Sequence, residues 1–437
     1  MLKFILRKML YGFLVLWGVV TLIFFLFHSD PTSAARNIAG ERANADMIKE
    51  IEHKYHLDLP IHKQYLLFLN NLSPISIHNE VEEESPIYLD QKEYSASTLF
   101  SYSDNRTVVF KYPYLNRSYK NQKKVSETLL DKLPSTFILA VVAISFGLVF
   151  GLILGVFSAI YKGTFIDSSA LVLAVLGMSA PSFVMAVFVS WIGGVLWFEE
   201  ASLPLLPFLS LGLGIIIGLI SHKISSKHIL KSISAGSIGL MAFKGFVIGT
   251  LFWFIGFGIE GLFGDGVLGL INQYISLPGT GLDSNGTLYS VGDFGEEVTD
   301  WNTLILPAFT LGIRPLAIIM QLTRSSMLDV LNQDFVRTAK AKGLSYKRTI
   351  VKHVLKNALN PVITAVSGWF GSLLAGSVFI EIIFNWDGLG KVILKGIVEK
   401  DVPLIIGICV CIACFFVIIN IIVDIIYGLI DPRVRVK

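Results

Sequence analysis

The sequence predicts an all-α polytopic membrane protein of eight spans, or six, with a small external domain after the first. Three observations carry this. The 437 residues are 53% hydrophobic and only 16% charged, with a mean hydropathy of +0.65, too apolar for an ordinary soluble chain. Apolar runs long enough to cross a bilayer, about 20 residues each, recur along the length. One sizeable polar region, residues 30–132, interrupts them. A net charge of +3 gives no indication of a nucleic-acid partner, and none is expected. The placement of the charges is more informative.

The first run, Met9–Phe27, follows Lys3, Arg7 and Lys8. A signal peptide is the competing reading. The run is long, however, and His28-Ser29-Asp30-Pro31 follows it rather than a small-x-small cleavage site. Residues 1–29 are therefore read as the N-terminus and an uncleaved span. Residues 30–132 are read as the external domain. His53 and His56 can share a helix face there, with His62 beyond, but ordinary surface or packing roles are expected ahead of a metal site. Residues 133–198 hold two spans, from runs at 133–161 and 170–198. Residues 199–302 read as an insertion with two extra glycine-rich spans, 202–221 and 240–263, the second carrying Glu260. An acidic external loop follows, in which Asp265–Trp301 has six Asp or Glu and no Lys or Arg. Residues 303–437 contain runs at 303–327, 361–384 and 403–430, with a basic loop at 328–360.

The positive-inside rule tests this count. With a cytoplasmic N-terminus, the loop of Lys162 falls inside and Glu199 and Glu200 fall outside. Lys223, Lys227 and Lys231 fall inside, as do the basic loop and the tail with Arg433, Arg435 and Lys437. Dropping both uncertain spans keeps every later loop on its side, whereas dropping one inverts them. The number is eight or six, not seven, and both termini are cytoplasmic.

The stretch Gln333–Pro361 holds seven Lys or Arg and one Asp. Its pattern predicts two amphipathic helices broken at Gly343. Phe335, Val336 and Ala339 share one face of the first. Val351, Val354, Leu355 and Ala358 make the apolar stripe of the second, beside Arg348, Lys352 and Lys356. Gly343 can take the left-handed conformation that ends a helix, and Ser345 is placed to cap the next. By itself this pattern fits a loop lying on lipid headgroups.

Little catalytic chemistry is present. There is no G-x-x-x-x-G-K-[ST] loop, and the fragment Gly388–Val392 lacks its first glycine and its hydroxyl. Cys409, Cys411 and Cys414 lie within one apolar run and read as small buried residues. Ionisable residues inside spans are costly unless paired or hydrated. Arg314 falls near the middle of its span and is followed by Pro315, which is expected to kink the helix. It reads either as facing a hydrated path for an anionic group or as half of an ion pair. Asp424, near the inner end of the last span, reads as structural.

At Asp334–Pro361 the residues resemble the coupling loop, the EAA-type motif, of ABC-importer membrane subunits. More narrowly they resemble the B-type subunit of the oligopeptide/dipeptide permease family. Phe335-Val336-Arg337-Thr338-Ala339-Lys340-Ala341-Lys342-Gly343-Leu344 carries the likeness, with Asn357-Ala358-Leu359 before Pro361. The likeness extends to Asn116–Tyr119, Leu133-Pro134-Ser135-Thr136, Ala180-Pro181-Ser182-Phe183, Leu322–Met327, Trp386-Asp387-Gly388-Leu389-Gly390 and Asp431–Arg435. Arg337 stands where the general motif has Glu. Asp387 stands where the family has proline, a change expected to loosen that turn.

The resemblance implies a six-span permease core with the two-span insertion, in a bacterial inner membrane. The coupling contact would be Asp334, Phe335, Arg337, Thr338, Ala339, Lys340, Ala341, Lys342, Gly343 and Leu344, with Ala339 and Gly343 permitting close approach. Partners would be a C-type permease subunit in a heterodimer, two ATPase subunits, an external solute-binding protein and membrane lipid. ATP and Mg would sit on the ATPases, with no cofactor and no enzyme site on this chain. Arg314 is the candidate for the substrate path. The implied cargo is di- or oligopeptide. The alternatives are nickel complexes, glutathione or antibiotic peptides on the same machinery, or a membrane protein that is not a transporter.

Overall fold

A computed structural model of the chain describes residues 2–27, 35–36, 38–39, 44–82, 85–90, 94, 96–103, 105–196, 201–204, 210–211, 213, 240, 242–251, 274–277, 282, 288–291 and 297–430. The described residues are mostly helical. In chain order they form α1 (Leu2–Phe27), α2 (Ala45–Lys54), α3 (Ile61–Leu72), β1 (Ile75–His78), β2 (Ala96–Ser103), β3 (Arg106–Lys111), α4 (Val125–Ile160), α5 (Phe165–Ser179) and α6 (Ser182–Trp191). Then come β4 (Ala201–Pro204), α7 (Ala242–Leu251), β5 (Tyr274–Leu277), β6 (Tyr289–Val291), β7 (Glu297–Thr299), α8 (Asn302–Leu331), α9 (Asp334–Ala341) and α10 (Tyr346–Thr349). The chain ends in α11 (Lys356–Gly376), α12 (Val378–Ile383), α13 (Leu389–Glu399) and α14 (Val402–Ile430). Four helices are long and apolar enough to cross a membrane, within α1, α4, α8 and α14, and the pair α5–α6 makes a fifth if counted as one span.

The chain divides into two compact units. The first comprises residues 1–138, 370–382 and 387–437. In it α1 packs along α14: Val20 and Ile23 join Ile406 and Val410, with Phe68, Leu69 and Leu72 of α3 against them. Phe24 is fully buried between Tyr65 and Phe68. The polar region is not all helix, which corrects the all-α expectation. Its strands pair antiparallel in the order β1-β3-β2. The alternation Thr107, Val109, Lys111 inward against Arg106, Phe110 outward is the period-two pattern of a half-buried strand. Lys111 is buried. Its Nζ donates to the Asn71 carbonyl at 2.5 Å and stands 5.1 Å from the Tyr94 ring, and burial holds its ammonium down to about 8.

The helix of the second span also begins earlier than its apolar run. Val125 and Leu129 are buried at an i, i+4 spacing and Glu127 and Asp131 are exposed, so the polar-looking start of α4 is an amphipathic helix whose inward stripe meets Leu389, Leu404 and Ile408.

The second unit comprises residues 139–369 and 383–386. Its axis is the pair α4–α8, joined through Gly147, Gly151 and Gly155. A Cβ at Gly155 would lie 2.7 Å from the Met320 carbonyl, and one at Gly151 2.9 Å from that of Leu316. Glycine at every fourth position is what lets two backbones approach this closely. Pro307 and Pro315 both lie inside α8, which runs unbroken for 30 residues, so Pro315 does not divide that helix. The expected span at 170–198 is not one straight helix. It breaks at Ala180–Pro181, where both residues are extended, and the two halves meet at 109°. Proline offers no N–H to continue the ladder and pushes the preceding residue out of the helical region.

Strand β4 pairs antiparallel with β5, Ala201 opposite Leu277 and Pro204 opposite Tyr274. Of the two inserted spans expected between them, α7 is the main described part. Glu199, Glu200, Lys223, Lys227, Lys231, Glu260 and most of Asp265–Trp301 lie outside the described residues, as do Arg433, Arg435 and Lys437. So does the side chain of Asp424.

Candidate coupling site

The basic loop folds as two helical turns pinned under the ends of the axis helices. In α9, Val336 and Ala339 are buried three residues apart. The helix ends as its glycine predicts: Gly343 has φ +77°, and Leu344 N–H reaches back to the Ala339 carbonyl at 3.3 Å. Ser345 then caps α10, its Oγ accepting from Arg348 N–H at 3.4 Å. From Ile350 to Leu355 the chain winds as a π-helix before entering α11.

That wide turn changes the face of the second helix. Ile350, Val354 and Ala358 point inward and Val351 is exposed, whereas the sequence stripe had Val351 inward. A π-helix bonds i to i+5, so its turn holds an extra residue and shifts the phase of everything before it. Phe335 is likewise outward, at 38% exposure. Val336, Ile350, Val354 and Ala358 close one core with Ala159 at the end of α4 and Met327 and Val330 at the end of α8. Any displacement of α9 is therefore a displacement of packed side chains on both axis helices.

The outer surface of the loop is cationic. Arg337, Lys340, Lys342, Lys347, Arg348, Lys352 and Lys356 are all exposed. Arg337 is 3.6 Å from Asp334 across one turn. Thr338 Oγ1 donates to the Asp334 carbonyl at 3.0 Å. Ala341 is exposed and Leu344 half-buried. Ala339 is buried against its own chain, so its small size serves internal packing. Gly343 is open, and a Cβ there would meet nothing within 4 Å.

Asp167 and Glu381, two carboxylates buried within helices, are not singled out by the sequence pattern. Asp167, in the first turn of α5, is 3% exposed. Its Oδ1 accepts from Arg324 Nε at 2.6 Å and Ser158 Oγ at 2.5 Å, its Oδ2 from Arg324 Nη2 at 2.9 Å and Gly163 N–H at 2.9 Å. In the other unit Glu381 is fully buried and accepts from Thr136 Oγ1 at 2.9 Å, Ser377 Oγ at 2.9 Å and Gly390 N–H at 2.6 Å. Thr136 Oγ1 in turn accepts from Leu389 N–H at 2.8 Å. This explains Gly388-Leu389-Gly390: its amides serve a carboxylate and a hydroxyl, the opposite of a phosphate cradle. Asp387 is not loose, for its Oδ2 accepts from Lys132 Nζ at 2.7 Å. A lone charge within an apolar run was the available signal for Glu381; Asp167 lies between the runs at 133–161 and 170–198 and offered none.

Arg314 is exposed on α8, its guanidinium 5.7 Å from the Trp369 ring centroid. Among the described residues no carboxylate pairs with it. Cys409, Cys411 and Cys414 are unbridged, half-buried and packed among aliphatic side chains. His53 Nδ1 meets Asp58 Oδ2 at 3.0 Å, and among the described residues no three metal-ligating side chains gather. In the polar region after α1 a cleft of about 320 Å³ is lined by Lys54, His56, Arg117 and three tyrosines, without a carboxylate.

An apolar helical core with a basic loop seated on it fits a membrane permease subunit. Comparison with known families agrees: residues 147–436 match the binding-protein-dependent transport system inner membrane component, and residues 1–81 match the corresponding N-terminal component. The chain belongs to that family. It is 30% identical over its whole length to the di/tripeptide transport system permease protein of Pseudomonas aeruginosa, of which 99% is covered. It is 28% identical to the dipeptide transport system permease protein of Escherichia coli and 24% to a glutathione transport system permease protein of Shigella flexneri, each chain covered in full.

Proposed function

We propose that this chain is the B-type permease subunit of an ATP-driven importer of di- and oligopeptides in a bacterial inner membrane. The observation that carries the reading is the seating of α9. A short helix is fixed by Val336 and by the turn at Gly343, with its cations turned outward, directly between the ends of two spanning helices. Asp334–Leu344 would meet an ATPase subunit, and closure of two ATPases on ATP and Mg would push it. A C-type permease subunit would complete the path, with Arg314 and Trp369 along it. The full-length likeness to dipeptide and di/tripeptide permeases favours peptide cargo. Glutathione is the second reading, favoured by the equally complete likeness to a glutathione permease.

The proposed division is 1–29 first span, 30–132 external domain, 133–198 two spans, 199–302 insertion and 303–437 core, with both termini cytoplasmic. The β4–β5 ladder supports an even number of crossings in the insertion, because it holds the chain leaving and the chain returning side by side. Eight spans follow. The basic cleft of the external domain would suit acidic side chains of the binding protein.

Co-purification in mild detergent tests the reading. A P-loop ATPase is expected to stay bound, and Gly343→Trp to release it by placing an indole in the contact. A complex without ATPase, together with full function in Gly343→Trp, would overturn it. A ligand screen on the cognate binding protein separates dipeptide from glutathione.

A further inference from the structure

We propose that Asp167 and Arg324 are positioning residues of the transport cycle. Their ion pair fastens the base of the bent α5–α6 pair to the coupling core, so that displacement of α9 moves α4, α5 and α8 together. The proposal rests on the coupling reading above.

The argument starts from what else joins α5 to α8. Along their contact Ala170, Ala174 and Gly177 meet Ala317, Met320 and Ile313. These are small or smooth side chains with no directional bond, a surface along which two helices can slide. Among the described contacts between the two helices the Asp167 carboxylate is the directional one. Four hydrogen bonds from three places, the end of α4 (Ser158), the turn after it (Gly163) and α8 (Arg324), saturate both oxygens. The guanidinium fork fixes the angle of approach as well as its distance. The clamp is also built into the coupling core: Ser158 adjoins Ala159, and Arg324 lies one helical turn before Met327, both members of that core.

Stability alone gives a weak account of it. Buried ion pairs are often matched or bettered by apolar residues of the same volume, and here alanine and glycine already pack the remainder of the contact. What the pair adds is a fixed geometry between the element that would receive force and a helix that is broken at Ala180–Pro181. A path of coupling is shown only by an energetic measurement.

The test uses the whole transporter in proteoliposomes: this chain, its partner permease, both ATPases and the binding protein. ATP hydrolysis and uptake of labelled dialanine are read in the same vesicles. Asp167→Asn and Arg324→Gln are expected to lower dialanine carried per ATP by about tenfold, a typical coupling between sites, while hydrolysis stays near wild type. Arg324→Lys, which keeps the charge and loses the fork, should recover part of the ratio. Uptake and hydrolysis falling in parallel, or neither changing, would overturn the proposal. If the Asn and Gln variants do not assemble, Ser158→Ala decides, since it removes one donor and leaves the ion pair. A ratio lowered by about twofold, the loss of one modest hydrogen bond, supports the clamp, and an unchanged ratio sinks it. Wild-type vesicles that hydrolyse ATP without uptake would overturn the transport reading itself, and this proposal with it.

Discussion

Asp167 and Glu381 are two buried carboxylates, one in each unit, solved in different ways. Asp167 sits against a guanidinium, with a hydroxyl and an amide completing its shell. The donors to Glu381 are two hydroxyls and the backbone amides of Gly390 and Lys391, none of them a cation. The first arrangement is a charge pair, in which either partner alone is a liability. The second is a hydrogen-bonded polar site, in which the acceptor geometry matters more than the charge. A buried acid therefore does not have one meaning in this protein, and substitutions should separate the two.

The largest effect is expected from Asp167→Leu, which strands Arg324, Ser158 and the Gly163 amide. A cost of about 3 kcal/mol is anticipated for breaking a buried pair from one side, read as thermal unfolding of the purified chain in detergent. Gly390→Ala should follow. Its Cβ would fall 2.6 Å from Val378 Cα and 2.8 Å from Glu381 Oε2, and overpacking of this kind costs about 1–3 kcal/mol. Glu381→Gln should cost only about 1 kcal/mol, because an amide keeps one acceptor oxygen and loses no salt bridge. A larger loss from Glu381→Gln than from Asp167→Asn in the same assay would erase the distinction between the two sites.

Smaller still is Gly343→Ala. The position is open, so the cost is backbone strain alone, about 1 kcal/mol, and Gly343→Asn should be milder because asparagine tolerates the left-handed region. Lys111, another buried charge, has neither solution, since a carbonyl and a ring face it, and its effect is read against pH. Its folded pKa, about 8, lies below the ordinary lysine value. Between the two values the unfolded chain binds more protons, so stability rises with pH across that window and is lowest below it. Unfolding temperatures at pH 7.5 and 9.5 should show the rise, and Lys111→Met should flatten it.

The same contrast explains what could be read from sequence. Long-range apolar runs gave the helices within α1, α4, α8 and α14, because burial in lipid requires little beyond length and hydropathy. Gly343 and Ser345 were legible because a left-handed C′ and a hydroxyl N-cap are local devices, decided within a few residues. The place of Ile350 was not. An inserted π-turn alters helical phase without changing composition, so an ideal 3.6-residue period put Val351 in its position. The sheet of β1, β2 and β3 was masked by its polar, aromatic-studded setting, although Arg106–Lys111 alternates cleanly. In the sequence Leu133–Thr136 and Trp386–Gly390 are separate segments. Only geometry showed that Thr136, Glu381 and Gly390 are one site, since their separation in sequence exceeds any local pattern.

The β4–β5 ladder has a consequence for how such a chain can change. Its two strands stand side by side at the base of everything between Pro204 and Tyr274, so that stretch is attached to the second unit as a loop is attached to a hairpin. Replacing it by a two-residue type I′ turn would close the same ladder. Chain length between the two strands is thereby separated from the ladder itself, since the cost of closing a loop grows only slowly with its length.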